Sequence, residues 1–215
     1  MMETEKKAAP AAETKEKKKK GKEKEKKSVK EEIMSWILTL LAAVVIASLI
    51  RAYIAEPIRV DGNSMNNTLI DGEIVLVTKW DYHHGNFQRG DIVICRYPGR
   101  MNERSAQINL GASLALDNHT LFVKRLVALP GDTVEIRGGI LYINGKAAEN
   151  PEKMGSTPAD YGLRVLGDNE YFVIGDNRAS SHDSRADDVG PLPASYIMGK
   201  VTRVILPFGS ARSVE

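Results

Sequence analysis

The stretch EIRGGILYINGK, residues 135–146, has the pattern of two short β-strands and two tight turns. Apolar and polar residues alternate on both sides of Gly138-Gly139, and Asn144-Gly145 is a second dipeptide that accepts positive φ angles. Alternation with a period of two is typical of a strand whose faces have different surroundings. The stretch therefore predicts a β-hairpin that closes at the two glycines.

The same kind of pattern continues over the chain after residue 53. Apolar residues come in short β-branched runs bounded by Gly, Asp, Asn and Pro, and only PLPASYI, residues 191–197, suggests a short helical turn. Such spacing is typical of an all-β domain. We therefore predict one all-β domain over residues 53–215. Within it, residues 99–120 lack periodicity and are interpreted as an insertion or a loop.

An uncharged run of 18 residues, IMSWILTLLAAVVIASLI, precedes this domain at residues 33–50. As a helix it would rise about 27 Å, close to the thickness of the hydrocarbon core of a bilayer. Trp36 and Tyr53 lie near its two ends, where aromatic anchors are common. A buried core helix and a cleaved signal peptide are the alternatives. We predict a single-pass transmembrane signal anchor at residues 33–52, with the lipid bilayer of the plasma membrane as a partner.

The first 32 residues are dominated by charge, with 12 Lys, 8 Glu and no aromatic residue. This composition buries too little apolar surface to fold, so we predict a disordered tail over residues 1–32. Lysines are denser before the apolar run than behind it, which predicts a cytoplasmic N-terminus and an extracytoplasmic domain. A basic tail could also contact nucleic acid, but the anchor explains it more simply. We expect no nucleic-acid partner.

The sequence offers little for metal or cofactor chemistry. Its four histidines match no metal-binding motif, and no glycine-rich loop precedes a helix. We therefore expect no metal and no cofactor. The single cysteine, Cys95, lies in the apolar run DIVICRY and is interpreted as a core residue, so no intramolecular disulfide can form.

Ser64 lies in VDGNSMNNTL, residues 60–69, a stretch with the composition of a turn. The motif G-x-S-x-G is broken by Asn66, and S-x-x-K is broken by Asn67. Chain order alone leaves a Ser-His-Asp arrangement open. The alternative partner is Lys124 in LFVKRLVALPGD, because a lysine among apolar side chains has a lowered pKa and can act as a base. Equally, Lys124 and Arg125 could straddle the two faces of a solvated edge strand.

Four stretches in order resemble the bacterial type I signal peptidases: GNSMNNTL, RGDIVICRYP, FVKRLVALPGD and GDNRASSHDSR. The resemblance runs from the anchor to about residue 209. It implies a membrane-bound endopeptidase with an antiparallel β-sheet catalytic domain, of the single-anchor form found in Gram-positive cells. The implied partners are exported preproteins, cleaved after Ala-x-Ala, with the secretion translocon as a further candidate.

By position, the resemblance implies that Ser64 is the nucleophile, Lys124 the general base and Ser181 the residue that orients the lysine amine. The oxyanion is expected to bind backbone N–H groups at Ser64 and Gly62. The small side chains before the cut are expected to contact Ile58, Val60, Met65, Leu69, Phe122 and Val123. Charged residues expected to support the site are Arg125, Asp176, Arg178, Asp183 and Arg185.

Two departures from the family pattern bear on these roles. Asn67 stands where the family usually has proline, and Ala179-Ser180 stands where Asp-Asn is frequent. Two rival hypotheses also remain. One is a specialised or self-cleaving peptidase with the same serine and lysine, and the other is a non-catalytic, membrane-anchored β domain that binds an extracellular partner.

Overall fold

The computed structural model describes residues 28–66, 68–80, 84–101, 119–148 and 157–214. Most of the predicted tail, most of the predicted insertion at 99–120, and Asn67 lie outside these residues. The described part contains one long helix, short 3-10 turns and eleven strands. Their bounds are α1 Val29–Tyr53, β1 Ala55–Arg59, β2 Ile74–Thr78, β3 Ile92–Met101, β4 His119–Ala128, β5 Thr133–Arg137, β6 Ile140–Ile143, β7 Lys146–Ala147, β8 Tyr161–Val165, β9 Phe172–Ile174, β10 Ile197–Leu206 and β11 Arg212–Ser213.

Helix α1 begins four residues before the predicted span and ends at Tyr53. The Glu31 carboxylate accepts a hydrogen bond from the Ser28 N–H at 3.0 Å, and the Glu31 N–H in turn donates to the Ser28 carbonyl. This reciprocal pairing caps the first turn. None of the helix residues is buried, although the helix is long and apolar enough to cross a membrane. This exposure favours a membrane-spanning helix over a helix buried in a protein core.

The larger sheet has the strand order β1-β2-β10-β3-β4-β9, with β11 paired to β10. Every strand pair in it is antiparallel, which confirms the predicted all-β class. Strand β4 lies between β3 and β9, in register through Val93 with Lys124 and through Ile174 with Arg125. The interpretation of Lys124 and Arg125 as residues of a solvated edge strand is therefore wrong.

The smaller sheet has the strand order β7-β6-β5-β8 and contains the predicted hairpin. Strands β5 and β6 pair from Val134 opposite Ile143 to Arg137 opposite Ile140. Gly138 and Gly139 close the hairpin with φ angles of 58° and 80°. Such angles cost glycine little, because it has no side chain to clash. The pattern that predicted this hairpin is thus sufficient to place both strands.

Apolar side chains form three buried clusters that hold the two sheets. One cluster packs Met65 and Leu69, from the segment between β1 and β2, against valines of β2 and β10. The second includes Cys95, which is fully buried, and burial raises the pKa of its thiol to about 12. The third joins the hairpin to the ends of β4 and β9. The segment that carries Ser64 is therefore fixed to the core by its own neighbours.

Gly199, on β10, lies where strands β2 and β10 approach closely. A Cβ atom there would lie 2.6 Å from the Thr78 carbonyl oxygen and 2.8 Å from a Val77 methyl group. We expect Gly199→Ala to lower the free energy of unfolding by about 1–3 kcal/mol, the usual cost of overpacking. Gly162→Ala, in strand β8 with open space around it, is the control. Thermal unfolding of the full chain in detergent measures both, and equal melting temperatures would contradict the account.

Candidate active site

Lys124 and Ser64 are brought together by β4 and by the segment between β1 and β2. The Lys124 ammonium donates to Ser64 Oγ at 2.7 Å and to the Val123 carbonyl at 2.9 Å. Lys124 is only 3% exposed, and its Nζ lies 5.2 Å from the centroid of the Phe122 ring. A lysine on an interior strand is thus in direct hydrogen-bond contact with a serine on a turn, 60 residues earlier in the chain.

Burial is the largest influence on the charge of Lys124. It disfavours the ammonium form and lowers the pKa of Lys124 to about 8. The carboxylates of Asp183 and Asp176 oppose this shift, and the Arg185 guanidinium adds to it. A pKa near 8 leaves a useful fraction of neutral amine at neutral and mildly alkaline pH, which is the form that can accept a proton.

The turn that carries Ser64 is tight and well bonded. Gly62 has a φ angle of 95°, and the Asn66 N–H donates to the Asn63 carbonyl at 3.1 Å. Of the residues that the structure describes, none accepts a hydrogen bond from the Ser64 N–H, so this group is available to a ligand. The Gly62 N–H, in contrast, donates to Asp71 Oδ1 at 2.9 Å. It can serve as an oxyanion donor only if that bond breaks.

The segment after β9 closes over the other side of the turn. The Asn177 N–H donates to the Ser64 carbonyl at 2.9 Å, and the Asn177 side chain donates to the Asn63 carbonyl at 3.0 Å. Gly175 is required here, because a Cβ atom would clash with Ser181 Oγ and with the Ser64 carbonyl oxygen. The backbone on both sides of Ser64 is therefore held by hydrogen bonds from this segment.

Two ion pairs surround the lysine. Arg125 donates to both oxygens of Asp176, at 2.8 Å and 2.7 Å, and Arg185 donates to both oxygens of Asp183, at 2.7 Å and 2.8 Å. Arg185 also holds the pKa of Asp183 below its usual range, against the effect of burial. Each carboxylate near Lys124 is thus already paired with a guanidinium.

The hydroxyl of Ser181 is hydrogen-bonded to Asp183, and the role that the resemblance implies for it, orienting the lysine amine, stays a prediction. Its hydroxyl donates to Asp183 Oδ2 at 2.7 Å, and the same oxygen accepts the Gly175 N–H at 3.0 Å. Within the described part of the chain, no hydrogen bond joins Ser181 to Lys124. Ser181 is therefore bonded to a carboxylate whose charge raises the pKa of Lys124 against the effect of burial.

The apolar residues expected to bind substrate do not all lie together. Val60, Met65, Leu69 and Val123 belong to one buried cluster, with Ile58 packed against it. Phe122 instead packs against the cluster on the other face of β4. Met65 and Leu69 have no exposed surface, so in this structure they are core residues that pack under the turn carrying Ser64. Arg178 is also buried, with 3% of its surface exposed.

Two further contacts were missed in the sequence. The Thr68 hydroxyl donates to Asp176 Oδ2 at 2.5 Å, and the Asn177 side chain donates to the Asn63 carbonyl. Thr68 lies in the motif GNSMNNTL and Asn177 in GDNRASSHDSR. Their position in these motifs was the one sequence feature that could have indicated a role at the site. Among the described residues, no group of three or more His, Cys, Asp or Glu side chains is placed to hold a metal ion.

Comparison with known proteins places these residues in a family. The family model described as "Signal peptidase, peptidase S26" matches residues 33–206. Signal peptidase I P of Bacillus subtilis subsp. natto is 36% identical over 196 residues, which cover 86% of this chain and 95% of that protein. Signal peptidase I S of Bacillus subtilis strain 168 is 36% identical over 199 residues, which cover 87% of this chain and 97% of that protein.

A solved signal peptidase I from Enterococcus faecalis V583 is 28% identical, covers 54% of this chain and 97% of that chain, and has a TM-score of 0.36. The family model spans most of the chain, from the apolar helix to the end of β10. The matches to the two Bacillus relatives cover nearly the whole length of those proteins. The chain therefore belongs to the signal peptidase family, peptidase S26.

Proposed function

We propose that this chain removes signal peptides from exported preproteins as a membrane-anchored serine endopeptidase, with Ser64 as nucleophile and Lys124 as general base. The observation that carries the proposal is the 2.7 Å hydrogen bond between Lys124 Nζ and Ser64 Oγ, made by a lysine that is 3% exposed. A serine becomes a nucleophile when an adjacent base takes its proton, and a buried lysine with a lowered pKa is such a base.

The proposed reaction is an acyl transfer in two steps. Neutral Lys124 accepts the proton of the Ser64 hydroxyl as Oγ attacks the peptide carbonyl, and the resulting ammonium then protonates the departing amine. An ester between Ser64 and the signal peptide remains. Lys124, neutral again, takes a proton from a water molecule that attacks this ester, and Ser64 Oγ leaves with the proton that the lysine returns.

The negative charge that develops on the carbonyl oxygen requires hydrogen-bond donors. The Ser64 N–H is the natural first donor, because it has no acceptor among the described residues and belongs to the attacking residue itself. Gly62 is the proposed second donor, on the condition that its bond to Asp71 opens when substrate binds. The two ion pairs keep the carboxylates near Lys124 compensated, so that burial determines its charge.

The proposed cleavage site follows a small-x-small sequence such as Ala-x-Ala. Ile58, Val60 and Val123 pack in the same apolar cluster as Met65, the residue that follows Ser64. Small apolar side chains before the cut are proposed to contact this cluster. The anchor is proposed to keep the N-terminus cytoplasmic and the β domain outside, where preproteins emerge from the secretion translocon.

The non-catalytic alternative is less well supported, since a binding domain gains nothing from burying a lysine against a serine. The self-cleaving alternative shares the same two residues, and it would be revealed by a lower mass of the purified chain. A specialised relative with one class of preprotein would differ only in which substrates it cleaves.

Loss of either member of the dyad tests the proposal directly. We expect Ser64→Ala and Lys124→Ala each to reduce kcat/KM for a preprotein with an Ala-x-Ala site by at least about a thousandfold, since nucleophile and base act as a unit. Lys146→Ala, an exposed lysine on β7, is the control and should cleave like the unaltered chain. Cleavage by both site variants at the control rate would exclude the dyad.

Activity should also depend on pH through Lys124. Its pKa of about 8 means that the ammonium form predominates below that pH and the neutral base above it. We therefore expect kcat/KM to rise about tenfold per pH unit on the acid side and to level off above about pH 8. Rates of preprotein cleavage from pH 6 to 10 measure this limb. A rate that falls as the pH rises from 6 to 8 would contradict the role of Lys124.

Burial of Lys124 should cost the protein stability. The folded-state pKa is lowered from 10.5 to about 8, so at pH 7 an ammonium is disfavoured in the folded state relative to the unfolded chain. We expect Lys124→Met to raise the free energy of unfolding at pH 7 by about 1–3 kcal/mol while abolishing cleavage. Above about pH 10.5 the gain should disappear, because lysine is then neutral in both states. A variant that unfolds more easily at pH 7 would refute this cost.

A further inference from the structure

Strand β11 brings one arginine, Arg212, to the loop that carries Ser64. This Ser64 loop comprises residues 60–66 and 68–73 of the described chain. Arg212 donates from Nη1 to Glu73 Oε1 at 2.6 Å and from Nη2 to Glu73 Oε2 at 3.0 Å. The same Nη2 donates to the Thr68 carbonyl at 2.6 Å. One guanidinium therefore contacts the middle and the end of the loop.

The partner of Arg212 is a buried carboxylate. The Glu73 side chain is 4% exposed, and Glu73 Oε2 also accepts the Ile70 N–H at 2.9 Å. The hydrogen bonds from Arg212 lower the pKa of Glu73, and the same contact raises the pKa of Arg212. Both groups thus stay charged at working pH. Two parallel hydrogen bonds between a guanidinium and a carboxylate fix the orientation of each.

Thr68 connects this ion pair to the strand of the lysine. Its carbonyl is held by Arg212, while its hydroxyl donates to Asp176 Oδ2 at 2.5 Å. Asp176 in turn accepts two hydrogen bonds from Arg125, the residue that follows Lys124. Thr68 is therefore bonded on one side to Arg212 of β11 and on the other side, through Asp176, to Arg125 of β4.

Thr68 is connected to the neighbour of Ser64 by hydrogen bonds within one turn of backbone. The Thr68 N–H donates to the Met65 carbonyl at 3.0 Å, and the Leu69 N–H donates to the same oxygen at 2.8 Å. Met65 follows Ser64 directly and has no exposed surface. A shift of the Thr68 peptide would consequently move the carbonyl of Met65, the residue bonded to Ser64.

We propose that Arg212 is a positioning residue, which holds the Ser64 loop so that Ser64 Oγ stays within hydrogen-bond distance of Lys124 Nζ. Arg212 contacts no reacting atom and acts through Thr68 and Glu73. It lies outside the four motifs, beyond the residues that the family model matches. The inference rests on the proposed function of Ser64 and Lys124, and it adds the C-terminal strand to the parts of the chain that catalysis requires.

Steady-state kinetics of the full chain in detergent test this role, with a preprotein that carries an Ala-x-Ala site. A misplacement of reacting atoms by 1 Å can cost about a hundredfold in rate, so we expect Arg212→Ala to lower kcat by about 10- to 100-fold. KM should change by less than about threefold, because Ile58 and Val123, on β1 and β4, lie outside the Ser64 loop. Arg212→Lys keeps the cation but donates from a single nitrogen, and should recover part of kcat.

Arg203→Ala is the matched control, since Arg203 is an exposed arginine on β10 directly opposite Ser213 of β11. Its kcat should lie within about twofold of the unaltered chain. A kcat for Arg212→Ala that is as high as that of the control would overturn the proposal.

A second variant separates positioning from folding. Arg212→Ala leaves the Glu73 carboxylate buried without its guanidinium, which can unfold the loop. The double variant E73Q/R212M removes both charges, and a glutamine at 73 can still accept the Ile70 N–H. We expect it to melt close to the unaltered chain while its kcat stays at least about tenfold lower, since the Thr68 carbonyl has lost its donor.

If kcat of the double variant equals that of the unaltered chain, the proposal is overturned. The effect of Arg212→Ala would then come only from the unpaired Glu73 carboxylate. A lowered kcat with preserved KM and melting temperature would support it. Failure of the unaltered chain to cleave would instead refute the proposed function itself, so the two failures are distinguishable.

Discussion

The chemistry of the site depends on the burial of one lysine, Lys124, on an interior strand of the larger sheet. Lys124 is 3% exposed, and burial lowers its pKa to about 8. Unpaired carboxylates nearby would favour the ammonium form, but Arg125 and Arg185 pair with the two aspartates beside the lysine. Besides the Val123 carbonyl, the amine is hydrogen-bonded to the Ser64 hydroxyl, whose proton it can accept when neutral.

Ser64, the hydrogen-bond partner of Lys124, is positioned both by packing and by hydrogen bonds. Met65 and Leu69 anchor the Ser64 loop in the core, and Asn177 bonds to the backbone on both sides of the serine. Each of these contacts joins parts of the chain that are distant in sequence. The geometry of the site is thus a property of the whole sheet, and a lysine that destabilises the fold is held where it is chemically useful.

The sequence predicted the strands and the hairpin because alternation and turn dipeptides are local signals. It predicted the pairing of Ser64 with Lys124 only through resemblance, since edge and interior strands have the same pattern until the strand order is known. The hydrogen bond from Ser181 to Asp183, two residues away, was not predicted from the sequence, because the direction of a short side chain depends on the tertiary fold. Arg212 was missed altogether, since nothing local connects it with Glu73, 139 residues earlier.

The charge state of Lys124 is the central claim, and it can be measured without any substrate. Nuclear magnetic resonance of the full chain labelled with ¹³C-lysine, in detergent, follows each lysine through its titration, and the Lys124→Ala variant identifies the relevant signal. The account predicts that this signal titrates with a midpoint near pH 8. A midpoint near that of an ordinary exposed lysine, about 10.4, would contradict it.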